Sequence, residues 1–76
     1  MSEVEFELRG EHITLDALLK ASGRAGSGGA AKVLIAGAAV RVNGQIETRR
    51  GRKLRAGDVV VVGGVELRVK GAPLQG

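Results

Sequence analysis

With 76 residues, 12 Lys and Arg against 8 Asp and Glu, no cysteine and a single aromatic side chain, the chain has room for one small domain and no second core. The composition excludes disulfides and thiolate metal sites, and the lone His12 cannot assemble a zinc site without carboxylate help, so no cofactor is expected. With Phe6 the sole aromatic, the core must be built from Val, Leu, Ile and Ala, and recognition of bases by aromatic stacking is disfavoured.

Residues 1–9 are acidic and alternating, unlike a signal peptide. The longest apolar stretches, residues 33–36 and Val59–Val62, are far too short to span a bilayer. A cytosolic protein with no membrane contact is therefore expected. Val4, Phe6 and Leu8 alternate with Glu3, Glu5, Glu7 and Arg9, a period of two that predicts an edge strand over residues 3–9. From Ile13 the period changes. Ile13, Ala17, Leu18 and Ala21 share one helical face with Leu15 and Leu19 beside it, predicting a first helix over about residues 14–21 capped by Thr14 or His12.

Gly23, Gly26, Gly28 and Gly29 make the next stretch flexible by composition, while Ser27 stands where an N-cap hydroxyl accepts from the amides that follow. A second helix is predicted over Gly28–Ala36, with Ala31, Leu34 and Ile35 buried, Lys32 pointing elsewhere and Gly37 as the C-terminal glycine. Val40 and Val42, then Asn43-Gly44, then Ile46 and Thr48 predict a hairpin closed by a type I′ turn. Residues 49–55 carry too many charges for a core, although Leu54 can anchor them. Residues 56–58 turn the chain, and Val59–Val62, Gly63-Gly64 and the alternation of Val65, Leu67 and Val69 with Glu66, Arg68 and Lys70 predict a second hairpin. The end of the chain, residues 73–76, is expected to fray. One domain over residues 1–72 results, of α+β class, with two helices packed on one face of a small antiparallel sheet of short strands.

Charge is distributed unevenly along these elements. Residues 1–19 carry a net −4, whereas residues 20–57 carry a net +8, with Glu47 the one acid among them. A polyanion would be drawn to that middle segment. Within it, Arg49, Arg50, Arg52 and Lys53 are the leading candidates, because guanidinium forks match phosphate oxygens bidentately and a cluster keeps the local potential high. The plainer reading of such a run is a solvated loop.

Ser27, Ala31 and Lys32 in a Ser-x-x-x-Ala-Lys helix start, then Ile35, then Val40-Arg41-Val42-Asn43-Gly44, a basic segment, and Leu54-x-x-Gly57-Asp58-Val59 together resemble the S-four RNA-binding domain, named after small-subunit ribosomal protein four. The resemblance covers roughly residues 13–62, and the basic run from Glu47 to Lys53 is similar to that of the small stand-alone bacterial members. It implies an alpha-L fold whose second helix and following hairpin present a basic surface to structured RNA, ribosomal or transfer RNA above all, with ribosomal association implied as well. Two positions depart from the family pattern: Gly28 stands where Arg is frequent, and Ala38 stands where the family places a glycine before the strand, Gly37 coming one step earlier.

Lys32 and Arg41 extend the basic patch if the helix packs beside the strand as the family implies; alone, each is an ordinary surface cation. Arg24 sits in the glycine-rich link, from which it can swing toward RNA. Asn43 is read first as a turn residue, since Asn-Gly meets a positive φ at low cost, and second as an RNA contact. Ser27 is similarly double, its hydroxyl capping the helix while the amides behind it offer a phosphate site. The glycines between residues 23 and 29 lack the Gly-Lys-Ser/Thr ending of a phosphate loop, and His12, near Glu11 and Asp16, has no nucleophile beside it. The expected function is non-catalytic recognition of structured RNA by a monomer. The alternative is a protein interaction adaptor that uses the acidic strand over residues 3–9 and the basic cluster.

Overall fold

The computed structural model describes residues 2–71. Its elements are β1 (Ser2–Leu8), β2 (Ile13–Thr14), α1 (Leu15–Ala21), α2 (Gly28–Ala36), β3 (Val40–Val42), β4 (Gln45–Ile46), β5 (Lys53–Leu54), β6 (Val59–Val62) and β7 (Val65–Gly71). Five strands form one sheet in the order β1-β7-β6-β3-β4, and β2 pairs with β5 in a separate two-stranded ladder.

The register explains how so small a chain closes a core. Val40 lies opposite Val62 and Val42 opposite Val60, while Val60 in turn faces Leu67, so the inward positions of three strands line up in rows. Leu15, Leu18 and Leu19 of α1 and Ala31 and Ile35 of α2 join those strand residues in a single buried cluster. The other face of the sheet carries Arg41, Val61, Glu66 and Arg68 in alternation with the buried set. Both helices therefore cover one face, as expected for the α+β class.

Both hairpin turns follow the local chemistry. Asn43 and Gly44 have φ of 52° and 84°, and Gly63 and Gly64 have φ of 57° and 77°, the left-handed pair that a type I′ turn requires. Helix α2 begins where the serine predicts, with the Ser27 Oγ accepting from the Ala30 amide at 3.1 Å.

Three details differ from the sequence expectation. The sheet is mixed: β1 occupies an edge, as expected, but runs parallel to β7. No short turn joins these two strands, because the chain leaves β1 for β2 and α1, and β7 is the last strand to arrive. Second, β2 and β5 were not expected as strands; two residues apiece carry no readable period. Third, Gly37 closes α2 with a right-handed φ of −81°, and the left-handed residue is Ala38, at φ 61°. A side chain at position 37 would meet the Val33 carbonyl oxygen at 3.0 Å, so the glycine serves close approach and the alanine takes the strained backbone. Gly71 is the last residue of β7, paired with Leu8, and the expected fraying of residues 73–76 falls outside the described residues.

Ala38→Gly should stabilise the fold, because the left-handed penalty of roughly 1 kcal/mol disappears while the unfolded chain gains some freedom. A net gain of roughly 0.5 kcal/mol corresponds to a thermal midpoint a few degrees higher, measured by circular dichroism. An unchanged or lower midpoint would show that the turn after α2 is not strained.

Candidate nucleic-acid interface

The basic run forms the connection between β4 and β5, at the edge of the sheet opposite β1. Its first residue decides its shape. The Glu47 amide donates to the Val40 carbonyl at 3.0 Å, extending the β3–β4 register by one step beyond the strand proper. That step turns the Glu47 side chain to the core side of the strand, where it is 7% exposed. There its carboxylate gathers the residues that follow. Oε2 accepts from the Thr48 amide at 3.1 Å, the Arg49 amide at 3.2 Å and the Arg49 Nε at 3.1 Å. Oε1 accepts from Arg49 Nη2 at 3.1 Å and from Arg52 Nη1 at 2.9 Å. The Arg49 hydrogen bonds, ahead of the opposing effect of burial and together with Arg52, pull the Glu47 carboxyl down to about 2.

The far end of the loop is held by the backbone. The Arg52 carbonyl accepts from the Leu15 amide at 2.9 Å and the Arg50 carbonyl from the Asp16 amide at 3.2 Å. These are two of the amides that a helix start leaves without an internal partner, so the loop caps α1. Thr14, one of the two expected caps, stands at the N-cap position but makes no side-chain capping bond to the helix amides. One residue further, Lys53 pairs with Thr14 and Leu54 with Ile13, and Leu54 is fully buried as the predicted anchor.

This geometry sorts the four candidate cations. Arg49 is ion-paired to Glu47 yet leaves 73% of its side chain exposed, and Arg52, at 32%, is more enclosed. Arg50 and Lys53 are exposed, and neither is ion-paired among the described residues. The neighbourhood is less free of acids than the sequence implies. A hydrogen bond from the Thr14 side chain lowers the Asp16 carboxyl against the effect of burial, and the charge of Arg50 lowers it further. At Asp58 burial raises the carboxyl, but the Arg55 amide, the Asn43 amide and the charges of Arg52 and Arg55 outweigh it, and the net direction is downward.

The remaining candidates are spread around the sheet. Arg24 lines a groove with Leu34, Ala39 and Val62, at the end of β3 and β6 from which the loop departs. Lys32 is exposed on α2, beside the exposed Val33. Arg41 alternates with the buried Val40 and Val42, so it lies on the sheet face that the helices leave open rather than on theirs. Asn43 lies at the opposite end of β3 from Glu47. Its Oδ1 accepts from the Val59 amide at 2.9 Å and its Nδ2 donates to Asp58 Oδ1 at 3.0 Å, tying the hairpin turn to the start of β6. The Ser27 hydroxyl is occupied by Ala30, which leaves the neighbouring Gly28 and Gly29 amides at the open end of the helix.

Sequence reading missed Glu47 as a member of the site. A signal was available: a single acid in a cationic run with arginines two and five positions later. Arg55 was also passed over, although it is exposed one residue beyond β5. At the β1 edge, by contrast, cations are neutralised inside the sheet, Arg68 by Glu3 at 2.8 Å and Glu66 at 3.1 Å, and Lys70 by Glu5 at 3.0 Å.

A small α+β domain that carries a braced, arginine-rich loop on one edge of its sheet is the class of protein these features define. The chain belongs to the S4 domain family, which matches residues 6–70 and so extends the resemblance to the end of β1 and along nearly all of β7. It is similar to the Escherichia coli (strain K12) protein named "Putative RNA-binding protein YbcJ", with 41% identity over 58 residues, or 76% of this chain and 83% of the relative. The same identity and coverage hold for the Shigella flexneri protein named "Uncharacterized protein YbcJ".

Glu47→Gln should lower stability at pH 7 by roughly 1–3 kcal/mol, because two arginines lose their charged acceptor. The Glu47 carboxyl is depressed in the folded state, so its contribution is complete above the ordinary value of 4.5 and disappears as pH falls through about 2. Denaturant melts of both proteins from pH 6 to 2 should therefore converge at the acid end. A gap that stayed constant with pH would contradict the ion cluster.

Proposed function

We propose that this domain binds folded RNA in the cytoplasm as a monomer, without catalysing a reaction, and that the loop over residues 47–53 is its principal contact. The observation that carries the reading is that this loop is fixed at both ends and still presents the exposed cations Arg49, Arg50 and Lys53. Phosphates on a folded RNA have fixed spacing, so a loop of fixed shape loses less conformational freedom on meeting them than a flexible one would. Arg24, at the same end of the sheet, and Lys32 on α2 would widen the contact, with Arg52 held beside Arg49 by the Glu47 carboxylate and the start of α2 at Ser27 offering backbone amides to a phosphate. Asn43 and Arg41 fit a secondary role, the first through its turn and the second on the open face of the sheet. Family membership and the printed name of the Escherichia coli relative support the RNA reading. Ribosomal or transfer RNA is the target class that we propose, with ribosomal association following from the former.

The adaptor alternative relies on the acidic strand. Glu3 and Glu5 are already paired with Arg68 and Lys70, which weakens their pull on a basic partner. No observation favours that reading over RNA.

Binding to a folded transfer RNA should weaken steeply with salt. If about four cations reach phosphates, log K against log salt should fall with a slope of roughly −3 to −4. Two charge-matched variants locate the contact. Arg50→Ala with Lys53→Ala should remove most of the affinity, whereas Arg68→Ala with Lys70→Ala should remove little, since those two cations are neutralised in place. A flat salt titration, or equal losses from both variants, would refute the assignment.

A further inference from the structure

Glu47 has an electrostatic effect on RNA binding that runs against its structural one. An acid inside a cationic loop lowers the potential felt by every polyanion, so its removal should tighten indiscriminate binding. Its geometry has the opposite consequence. Oε1 accepts from Arg49 Nη2 and Arg52 Nη1 together, at 3.1 and 2.9 Å, so one carboxylate holds two like-charged side chains side by side. Arg49 is engaged through Nε and Nη2, a two-point contact that fixes the plane of its guanidinium as well as its position. The outer N–H donors of that guanidinium remain open to solvent, since the side chain is 73% exposed.

We propose that Glu47 is a positioning residue that sets the domain's preference for folded over unstructured RNA, by holding Arg49 and Arg52 as one fixed donor pair aimed at phosphates of defined spacing. The proposal rests on the RNA-binding reading above. A phosphate near the pair meets donors whose orientation is already set, and the shared carboxylate offsets the repulsion between the two guanidiniums before RNA arrives. An unstructured strand can rearrange its phosphates around any cluster of cations and gains little from such placement. The same acid therefore favours one class of RNA and disfavours the other.

The backbone contacts make this separable from folding. The loop is also held by the Leu15 and Asp16 amides and by the pairing of β5 with β2, none of which passes through the Glu47 carboxylate. Glu47→Gln keeps an acceptor for the Thr48 and Arg49 amides while it removes the charge. Arg49→Lys keeps the charge and removes the two-point contact.

The test compares dissociation constants for two probes, a folded transfer RNA and a single-stranded polyuridylate of matched length, at pH 7 and one ionic strength. Circular dichroism confirms the fold of each variant. Glu47→Gln should weaken transfer RNA binding about threefold to tenfold while leaving polyuridylate binding unchanged or tighter. Arg49→Lys should lose a similar factor on transfer RNA and nothing on polyuridylate, and it alone decides if Glu47→Gln loses its folded signal. The proposal is overturned if Glu47→Gln tightens both probes by the same factor, as bulk charge requires, or weakens both equally, as a general loosening requires. A wild-type protein that binds neither probe overturns the RNA reading itself.

Discussion

A carboxylate at the margin of the core holds the basic edge of this molecule together. Glu47 continues the β3–β4 ladder by one residue, and this turns its side chain to the core side of the strand, largely out of water. A buried carboxylate without partners would be unfavourable by several kcal/mol, so it must find donors nearby. Those donors come from the very next residues: two backbone amides and two guanidiniums. Satisfying Glu47 thus shapes the first part of the basic loop, while backbone bonds to α1 and β2 hold its far end. The charges that would scatter a free peptide are collected around a single opposite charge.

The sheet gives that arrangement its position. Acidic β1 lies at one edge and the basic loop leaves the strand at the other, so the polarity written along the chain becomes a polarity across the fold. Within the acidic edge, Arg68 and Lys70 are matched against glutamates on β1 and β7, and the sheet neutralises itself there. At the opposite edge residues 49–55 carry five cations, of which Arg49 and Arg52 pair with the buried Glu47 while Asp16 lies near Arg50 and Asp58 near Arg55, so positive charge is in excess there. Carbonyls of that loop also complete the amide bonding at the start of α1, so the loop is continuous with the helix layer that covers the core.

Much of the fold could be read from residue order alone. The alternation of Val40 and Val42, and of Leu67 and Val69, with polar neighbours, the apolar run Val59–Val62, and the Asn43-Gly44 and Gly63-Gly64 pairs report local physics directly, because period and turn conformation are properties of a few adjacent residues. The Ser27 cap and the span of α2 were legible for the same reason. The parallel pairing of β1 with β7 was not, since it joins residues more than sixty positions apart and no turn between them sets a direction. The two-residue ladder of β2 and β5 was too short to leave a pattern. Ala38 shows a further limit, because the nearby Gly37 offered a sterically easier residue, and only the 3.0 Å approach to the Val33 carbonyl explains why the left-handed turn falls one residue later. At the candidate site the cations were visible as a run, but the acid that organises them was read only as a subtraction from net charge and as the first residue of that run, with no role of its own. Whether a carboxylate lies in a core or in solvent depends on strand register, which the sequence around Glu47 does not state.

A carboxylate that holds both arginines should make residues 48–53 a rigid, pre-shaped surface in the free protein. Backbone 15N relaxation of the free chain at pH 7 measures this directly. Amide order parameters of about 0.85 across the loop, level with those of β3 and β6, are the predicted result. Values below about 0.6 in the loop, with the strands remaining rigid, would mean that the Glu47 carboxylate does not hold its arginines and that the basic segment is a flexible polycation.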